Sequence, residues 1–431
     1  MRSGCAALLV LASAACYSPT PREGLACAAG DRCPDGQTCA ADGRCYSAVL
    51  DGGCTAVARR AIFAARLVAS DAAGGDNLGD AMVVDGTWLA LGVDSADDLA
   101  DGAGAVYMFE RDGGAWVERQ KLTASNGDAL DRFGAAVALD GTRLLVGAPD
   151  AGDPARGLVY VFEHDGTMWV ERQILDAGGE GGDGYGTAVA LSGDRAAVGA
   201  PGASGDTGAV YAYDRGASAW EPADSFYPSD AAAAFGTALA IDDTTLAVGT
   251  PEDDDAGQFS GSVFLLSRDG DAWVSSGKLT ASDAAANDNF GSALALDGGR
   301  LVVGAPFRGD VGAVYLYDGT DFASEQVVSA ADSAAGDGFG RSVALRGDLL
   351  AVGAPSDDDG GTSTGSAYLF GRDGATWVET DKVVDDEGAE FDILGSQVAL
   401  ADGELLVGSP LHDGAAPADA GAVLVYTVDC P

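Results

Sequence analysis

The stretch FGSALALDGGRLVVGAP, residues 290–306, decides the fold of this chain. Small and apolar residues alternate from Phe290 to Leu296, and a second apolar run extends from Arg300 to Val303. Between them lies the turn sequence Asp297-Gly298-Gly299. Alternation on both sides of a Gly-rich tight turn predicts two antiparallel β-strands joined as a hairpin.

This pattern recurs seven times at a fixed spacing. Each copy opens on a large apolar residue followed by Gly, at Leu78-Gly79, Phe133-Gly134, Tyr185-Gly186, Phe235-Gly236, Phe290-Gly291, Phe339-Gly340 and Leu394-Gly395. A second Gly follows thirteen residues after the first, at Gly92, Gly147, Gly199, Gly249, Gly304, Gly353 and Gly408. A segment like Gly104-Ala105-Val106-Tyr107 comes next, and then an aromatic residue in six copies: Trp116, Trp169, Trp220, Trp273, Phe322 and Trp377. Each copy therefore predicts one antiparallel blade of four short strands.

These are the residues of the FG-GAP repeat. Over roughly residues 61–428 the chain resembles the bacterial members of the family that also includes the integrin α-subunit head. The resemblance implies an all-β fold, a seven-bladed β-propeller. Burial agrees with it, because one blade is too small to be stable alone and seven stacked blades bury one another's faces.

The last copy lacks one strand, since it stops at Tyr426 without an aromatic fourth segment. Residues 66–70, RLVAS, match residues 121–125, KLTAS, and precede the first copy. We therefore expect the N-terminal strand to complete the last blade, which removes an open sheet edge. A disulfide between Cys54 and Cys430 would lock the same seam, and we state it as a hypothesis.

Composition restricts the class of protein. The chain of 431 residues carries 67 Asp+Glu against 24 Lys+Arg, a formal net charge of −43, which argues against nucleic acid and anionic membrane surfaces as partners. At 47% hydrophobic residues it can still bury a large core. The 64 Gly and the excess of Asp over Glu favour turns, so few helices are expected.

The first residues indicate export. An apolar stretch, too short to span a bilayer, follows Arg2 and predicts a signal peptide over 1–15. The sequence before Cys16 resembles a bacterial lipoprotein box, which implies acylation of Cys16; cleavage by an ordinary signal peptidase is the alternative. Tyr17 stands where the resembled lipoproteins carry the Asp that retains them at the inner membrane. We therefore expect an outer-membrane or cell-surface lipoprotein, or a secreted protein.

Six cysteines remain once Cys5 in the leader and Cys16 at the cleavage point are set aside. Four recur every six residues, at Cys27, Cys33, Cys39 and Cys45, in a segment too poor in apolar residues to bury a core. We expect two disulfides to stabilise this segment in an oxidising compartment, and coordination of zinc by the four cysteines is the alternative. Cys54 and Cys430 make up the six. The expected organisation is a Cys-rich stalk over 16–54 followed by the propeller over 55–431.

Strand alternation places the longer connections on one face of the propeller. These within-blade and between-blade loops hold 34 carboxylates against three arginines, Arg132, Arg156 and Arg308, a local charge of −31. Charge of one sign gathered around an axis focuses a negative potential. The sequence therefore predicts one strongly acidic face.

Two interpretations of the acidic face stay open. It binds Ca²⁺ or a cationic partner, with hard oxygen ligands from Asp253, Asp254, Asp255, Asp357, Asp358, Asp359, Asp283 and Asp288, or it is a solvated surface that favours solubility. Calcium-binding FG-GAP repeats carry a D-x-D-x-D-G loop, where this chain has only a tight turn such as residues 139–143. The family's calcium sites therefore transfer to no position here.

No catalytic motif stands out. The two histidines, His164 and His412, have no recognisable Ser or Cys nucleophile motif. We expect a non-enzymatic, surface-exposed propeller of the adhesion type, which binds a protein or glycan and meets the membrane only through a lipid anchor. The alternative is a secreted hydrolase or lyase that uses carboxylates on extracellular polysaccharide.

Overall fold

A computed structural model describes residues 56–228, 234–270, 272–319, 321–413 and 419–429, together with the backbone of residues 25–26, 38–39 and 44–46. The chain divides into two compact units, and the larger is Ala56–Asp429. No described helix is both long enough and apolar enough to cross a membrane.

In the N-terminal unit, Leu25–Ala26, Thr38–Cys39 and Arg44–Tyr46 form a three-stranded antiparallel sheet with the third strand in the middle. The backbones of Cys39 and Cys45 lie opposite each other in it. The predicted signal peptide, Cys16, and the side chains of all six candidate disulfide cysteines, Cys27, Cys33, Cys39, Cys45, Cys54 and Cys430, lie outside the described residues, so the expectations for them stay predictions.

The larger unit is a ring of seven four-stranded antiparallel sheets, which confirms the all-β seven-bladed propeller. Blades 1 to 3 consist of Ala81–Asp85, Trp88–Val93, Ala105–Asp112 and Ala115–Leu122; Ala136–Asp140, Arg143–Ala148, Leu158–His164 and Trp169–Leu175; Ala188–Ser192, Arg195–Ala200, Ala209–Arg215 and Trp220–Phe226. Blades 4 to 6 consist of Ala238–Ile241, Thr245–Thr250, Ser262–Asp269 and Ala272–Leu279; Ala293–Asp297, Arg300–Ala305, Ala313–Asp318 and Ser324–Val328; Ser342–Arg346, Leu349–Ala354, Ser366–Asp373 and Thr376–Val383. Three short helical turns, Ala56–Ala58, Ala203–Asp206 and Arg308–Asp310, are the described helical elements.

Blade 7 combines both ends of the larger unit. Its strands are Val398–Ala401, Glu404–Ser409 and Ala422–Asp429, with Arg60–Leu67 as the fourth, antiparallel strand. The ladder runs from Leu67 opposite Val423 to Arg60 opposite Asp429. The backbone N–H of Ala61 also donates to Asp381 Oδ2 of blade 6 at 2.8 Å. Blade 7 therefore has four strands like the other blades, with its outer strand supplied from the N-terminal end of the larger unit.

The core lies between neighbouring blades. Second strands are buried almost throughout, and large aromatic residues fill the spaces beside them. Phe290, for example, is fully buried and meets the Tyr315 ring edge to face with centroids 5.2 Å apart. Edge-to-face pairs of this kind place the positive ring edge on the negative ring face, which stabilises the contact beyond simple burial.

The second Gly of each repeat meets the first Gly of the next repeat across the boundary between their blades. A Cβ placed on Gly304 would lie 2.1 Å from the carbonyl oxygen of Gly340, the first Gly of the next blade. Gly408 meets Gly79 in the same way and so closes the ring. Gly340 also has φ of +95°, a conformation that L side chains rarely adopt. Close backbone approach between blades therefore explains why both positions are glycine in every repeat.

Candidate functional site: the acidic loop face

One face of the ring, here called the loop face, carries all the longer connections. Within-blade loops join the second and third strands, and between-blade loops lead into the next first strand. The opposite side, the turn face, carries the short connections after the first and third strands. The carboxylates counted in the sequence, apart from Asp230, which lies outside the described residues, belong to loops of this face.

Cations from the fourth strands reach into this acidic face. The chain has three lysines, and all three occupy one register position, opposite Tyr107, Phe264 and Tyr368 of the neighbouring third strands: Lys121, Lys278 and Lys382. Arg66 holds the same position in the fourth strand of blade 7, opposite Leu424. Four of the seven blades thus carry a built-in cation at the same place.

In blade 6 the cation is surrounded by carboxylates. Lys382 Nζ lies 2.8 Å from Asp332, 2.8 Å from Asp357 and 2.6 Å from Asp359, and 5.2 Å from the centroid of the Tyr368 ring. Burial alone would raise the pKa of Asp357, but the hydrogen bonds from Lys382 and other donors outweigh it and hold that pKa below its usual value. The same contacts raise the pKa of Lys382 against the effect of burial. Asp357 is therefore a buried carboxylate with its counter-ion attached.

Blade 4 repeats the arrangement. Lys278 Nζ lies 2.6 Å from Asp253 and 2.6 Å from Asp255, and 4.7 Å from the centroid of the Phe264 ring. Asp254 instead accepts a hydrogen bond from the backbone N–H of Phe259 at 2.7 Å. In both Asp-rich loops an ammonium group lies where the carboxylates converge, at the place a calcium ion would take. Calcium binding there remains an expectation without a test.

In blade 1, Lys121 Nζ contacts Asp98 and lies 2.9 Å from Asp71. In blade 7, Arg66 binds Asp385 at 2.8 Å and Glu387 at 2.7 Å. Loop arginines complete the set, because Arg308 contacts Asp283 in blade 5 and Arg132 lies 2.7 Å from Asp94 between blades 1 and 2. The four strand cations change the loop-face charge from −31 only to −27, so the face stays strongly acidic although individual carboxylates are paired.

The structure gives Asp283 and Asp288 separate roles. Asp283 binds Arg308 and accepts a hydrogen bond from Tyr315 Oη at 2.6 Å. Asp288 is buried, and its carboxylate accepts the backbone N–H of Ala285 at 2.7 Å. The same bond to the N–H three residues earlier is made by Asp76, Asp131, Asp183, Asp337 and Asp392. Asp288 thus shapes its between-blade loop, as these five equivalents do in theirs.

Among the described residues one group of three side chains has metal-ligand spacing: Asp385, Asp392 and His412, whose ligand atoms lie within 4.8 Å of one another. His412 Nδ1 is 2.9 Å from Asp392 and 3.6 Å from Asp385. Each carboxylate already has another donor, because Arg66 binds Asp385 through both oxygens and Asp392 accepts the N–H of Ala389. The group therefore reads as a buried hydrogen-bonded network at the base of the blade 7 loops.

No described nucleophile serves His412. Its Nε2 is buried and lacks a hydrogen-bond partner within the described ranges, so no Ser hydroxyl there is hydrogen-bonded to the imidazole. His164 lies at the turn face and packs its ring on Trp88, with centroids 4.9 Å apart. Neither histidine is therefore arranged as the general base of a Ser or Cys nucleophile.

A central channel runs between the seven first strands. One section of about 340 Å³ is lined by apolar residues such as Met82, Leu139 and Leu345. Asp80 and Arg341 belong to the neighbouring section. Burial, and then the nearby carboxylate of Asp94, raise the pKa of Asp80. The channel offers apolar walls with one polar end, and no residue proposed from the sequence lines it.

Sequence reasoning missed the four strand cations, because it counted charge loop by loop. The signal was present, since RLVAS at 66–70 and KLTAS at 121–125 were aligned as equivalent strands and each begins with a cation. Long side chains extend their charged ends several ångströms from the backbone position. A count restricted to loop residues therefore overstates the net charge of the face.

Comparison with protein-family profiles matches the FG-GAP repeat at residues 116–162, 169–213, 220–266, 273–317 and 322–370. A search of curated proteins found no match. The matched segments begin at the aromatic residue of one blade and end in the third strand of the next, so they follow the repeat in the sequence although not the blade in space. With more than half of its residues matched, the chain belongs to the FG-GAP repeat family.

Proposed function

We propose that this protein is an exported, non-enzymatic binding propeller of the adhesion type, which presents its acidic loop face to a partner at the cell surface. The partner is a protein or a glycan of the extracellular surface, and the protein meets the membrane only through a lipid on Cys16. The observation that carries the proposal is that the two faces differ in their connections. Short turns make up one face, and the variable, acidic connections all lie on the other.

Exposed carboxylates without a cation partner support a binding role more than the carboxylates that pair with a strand cation do. Asp358, Asp386 and Glu390 are exposed on the loop face, and no described cation lies within salt-bridge distance of them. Loops on a rigid scaffold can vary without disturbing the core, which is why binding residues concentrate there. Unpaired surface charge also speeds association with partners of opposite sign.

The experiment is retention of outer-surface material on the immobilised full chain. We compare the parent with a loop-face variant, Asp358→Lys/Asp386→Lys/Glu390→Lys, and with a turn-face control of the same charge change, Asp269→Lys/Asp321→Lys/Asp373→Lys. The proposal expects one retained partner that the loop-face variant loses and the turn-face control keeps. Equal retention by both variants, or retention of nothing by the parent, contradicts it.

The absence of catalysis is tested separately. The purified protein is incubated with a panel of extracellular polysaccharides, and both binding and new reducing ends are recorded. We expect binding without turnover. New reducing ends, abolished by substitutions among the loop-face carboxylates, would establish the hydrolase alternative.

The anchor has its own test. Metabolic labelling with a fatty acid should mark the parent and fail to mark Cys16→Ala, while Cys5→Ala in the leader serves as a control that keeps the label. An unlabelled parent chain would remove the lipid anchor from the proposal and leave a secreted protein.

A further inference from the structure

We infer that Leu130 and Phe391 are contact residues for a protein segment that combines Lys or Arg with apolar side chains. The inference deepens the proposed function and rests on it, since it names the class of partner for the loop face. It starts from the backbone of the between-blade loops.

These loops share one conformation. In the six that the structure describes throughout, a left-handed residue precedes the Asp that accepts the N–H three residues earlier. Glycine or asparagine occupies this left-handed position in four described loops: Gly75, Gly182, Asn287 and Gly336. Leu130 and Phe391 occupy it in the other two, with φ of 65° and 72°. Bulky L residues are rare there, because the Cβ crowds the backbone.

The loop determines these backbones independently of the two side chains. The N–H of Leu130 donates to the carbonyl of Asp101 at 2.8 Å, and the N–H of Phe391 donates to the carbonyl of Thr362 at 2.9 Å. Glycine would make the same backbone bonds without strain. The side chains point outward instead of packing, with 64% of Leu130 and 57% of Phe391 exposed. Neither loop geometry nor burial accounts for an apolar side chain at either position.

A single exposed apolar side chain is common on protein surfaces, but residues held in a strained backbone conformation cluster at functional sites. Other large apolar side chains stand exposed on the same face, at Leu99, Phe259 and Phe307. Phe259 again has a left-handed backbone, with φ of 55°. Apolar anchors set among polar residues resemble the centre and rim of a protein interface.

Charge selects the kind of partner. Asp128 and Asp153 line the same groove as Leu130, and Glu390 precedes Phe391. The cation that also lines the groove, Arg132, is paired with Asp94 and Asp150, so the groove stays net acidic. An apolar anchor gives no advantage to a bare metal ion, whereas a segment with basic and apolar side chains matches both features. A protein surface or peptide of that composition is therefore the occupant that fits.

The test uses two synthetic 18-residue peptides of equal charge. One combines Lys with Leu on an amphipathic pattern, and the other combines Lys with Ser. Affinities for the full chain are measured at two salt concentrations, for the parent and for Leu130→Gly/Phe391→Gly. Ser363→Gly is the matched control, because Ser363 also has a left-handed backbone, with φ of 47°, but no apolar side chain.

We expect the parent to bind the Lys/Leu peptide at least tenfold more tightly than the Lys/Ser peptide. The double variant should lose most of this preference while it melts at or above the parent temperature, since glycine relieves strain. Ser363→Gly should keep the preference. Equal affinity of the parent for both peptides, or an unchanged preference in the double variant, overturns the inference. A double variant that melts several degrees lower assigns the two side chains to the fold and overturns it too.

Retention of surface material separates this inference from the proposed function. If the charge-reversed loop-face variant loses the retained partner and Leu130→Gly/Phe391→Gly keeps it, the proposed function stands and this inference fails. If the retained partner is a glycan free of protein, the inference fails as well. If neither variant loses the partner, both fail.

Discussion

The two faces of the propeller use their charges differently. At the turn face, ion pairs and turn contacts join neighbouring blades: Arg111 to Glu404, Arg215 to Glu163, Arg268 to Asp214 and Arg372 to Asp318. At the loop face, the strand cations bind carboxylates of their own blade and of the loop that leads into it, as Lys382 does. Side-chain ion pairs join blades at the turn face, whereas at the loop face backbone hydrogen bonds also cross the boundary, such as the N–H of Leu130 to the carbonyl of Asp101.

This difference explains how the loops can vary. Turn-to-turn contacts continue the chain of bonds around the axis, since Asp297 Oδ2 accepts the N–H of Gly347 in the next blade at 2.6 Å. Because the turn-face contacts, the glycine contacts and the loop hydrogen bonds across the boundary are all made without the side chain at this loop position, that side chain can change without opening a blade boundary. Leu130 and Phe391 are examples, because they replace the Gly or Asn of other blades within the same loop backbone.

The largest expected effect lies between the two faces, at the glycine contacts. Gly304→Ala places a methyl group 2.1 Å from a backbone oxygen of the next blade, so we expect a loss of about 4 kcal/mol or more in the free energy of unfolding, measured by urea titration. Gly298→Ala is the control. Its φ is +58° but nothing lies within 4 Å, and the cost should be about 1 kcal/mol. Equal losses would mean that the boundary tolerates a methyl group.

At the turn face, Glu404→Gln tests the bond between blades 7 and 1. The buried carboxylate binds Arg111 at 2.9 Å and accepts Trp116 Nε1–H at 3.0 Å, so loss of its charge should cost about 3 kcal/mol in calorimetry or urea unfolding. Asp402→Asn is the control, since that exposed carboxylate pairs with Arg346 at the surface and should change stability by about 0.5 kcal/mol or less. Similar small losses in both variants would refute a special role for the buried pair.

At the loop face, Lys382→Met leaves the buried Asp357 without its counter-ion and should cost about 2 kcal/mol at pH 7. The pKa of Asp357 is depressed in the folded state, so its stabilising contribution is present above the ordinary carboxyl pKa and disappears as the pH falls through the folded value. The difference between parent and variant should therefore shrink below about pH 4. A difference that is constant with pH would mean that lost packing, not charge, explains the effect.

The smallest expected effect is that of calcium on the melting temperature of the parent protein. Because Lys382 already lies among Asp332, Asp357 and Asp359, we expect the parent to melt at the same temperature with calcium and with chelator. Lys382→Met should instead melt at a higher temperature with calcium than with chelator. At a calcium concentration one hundred times the dissociation constant, the free energy of unfolding should rise by about 2.7 kcal/mol. A parent that gains stability from calcium would restore a calcium site to the loop face.

How much was predictable differs between fold and site. The repeat phase, with Phe290-Gly291 and Gly304 thirteen residues apart, predicts seven blades, because strand alternation and turn chemistry are local properties. For the site, the sequence predicted only which face of the propeller is acidic. Asp357 is buried and paired with a lysine, whereas Asp358 is exposed. The difference depends on Lys382, which lies in another strand. Asp288, proposed as a ligand, accepts a hydrogen bond from its own loop, a contact that the sequence did not indicate.

The sequence by itself determined the seven repeats, the all-β class and the net negative charge, since each follows from residue order and composition. The tertiary structure alone decided which charges cancel and which side chains remain exposed. The physical reason is distance. Charges interact within a few ångströms in space, and Lys382 and Asp332 are fifty residues apart in the chain but 2.8 Å apart in the fold.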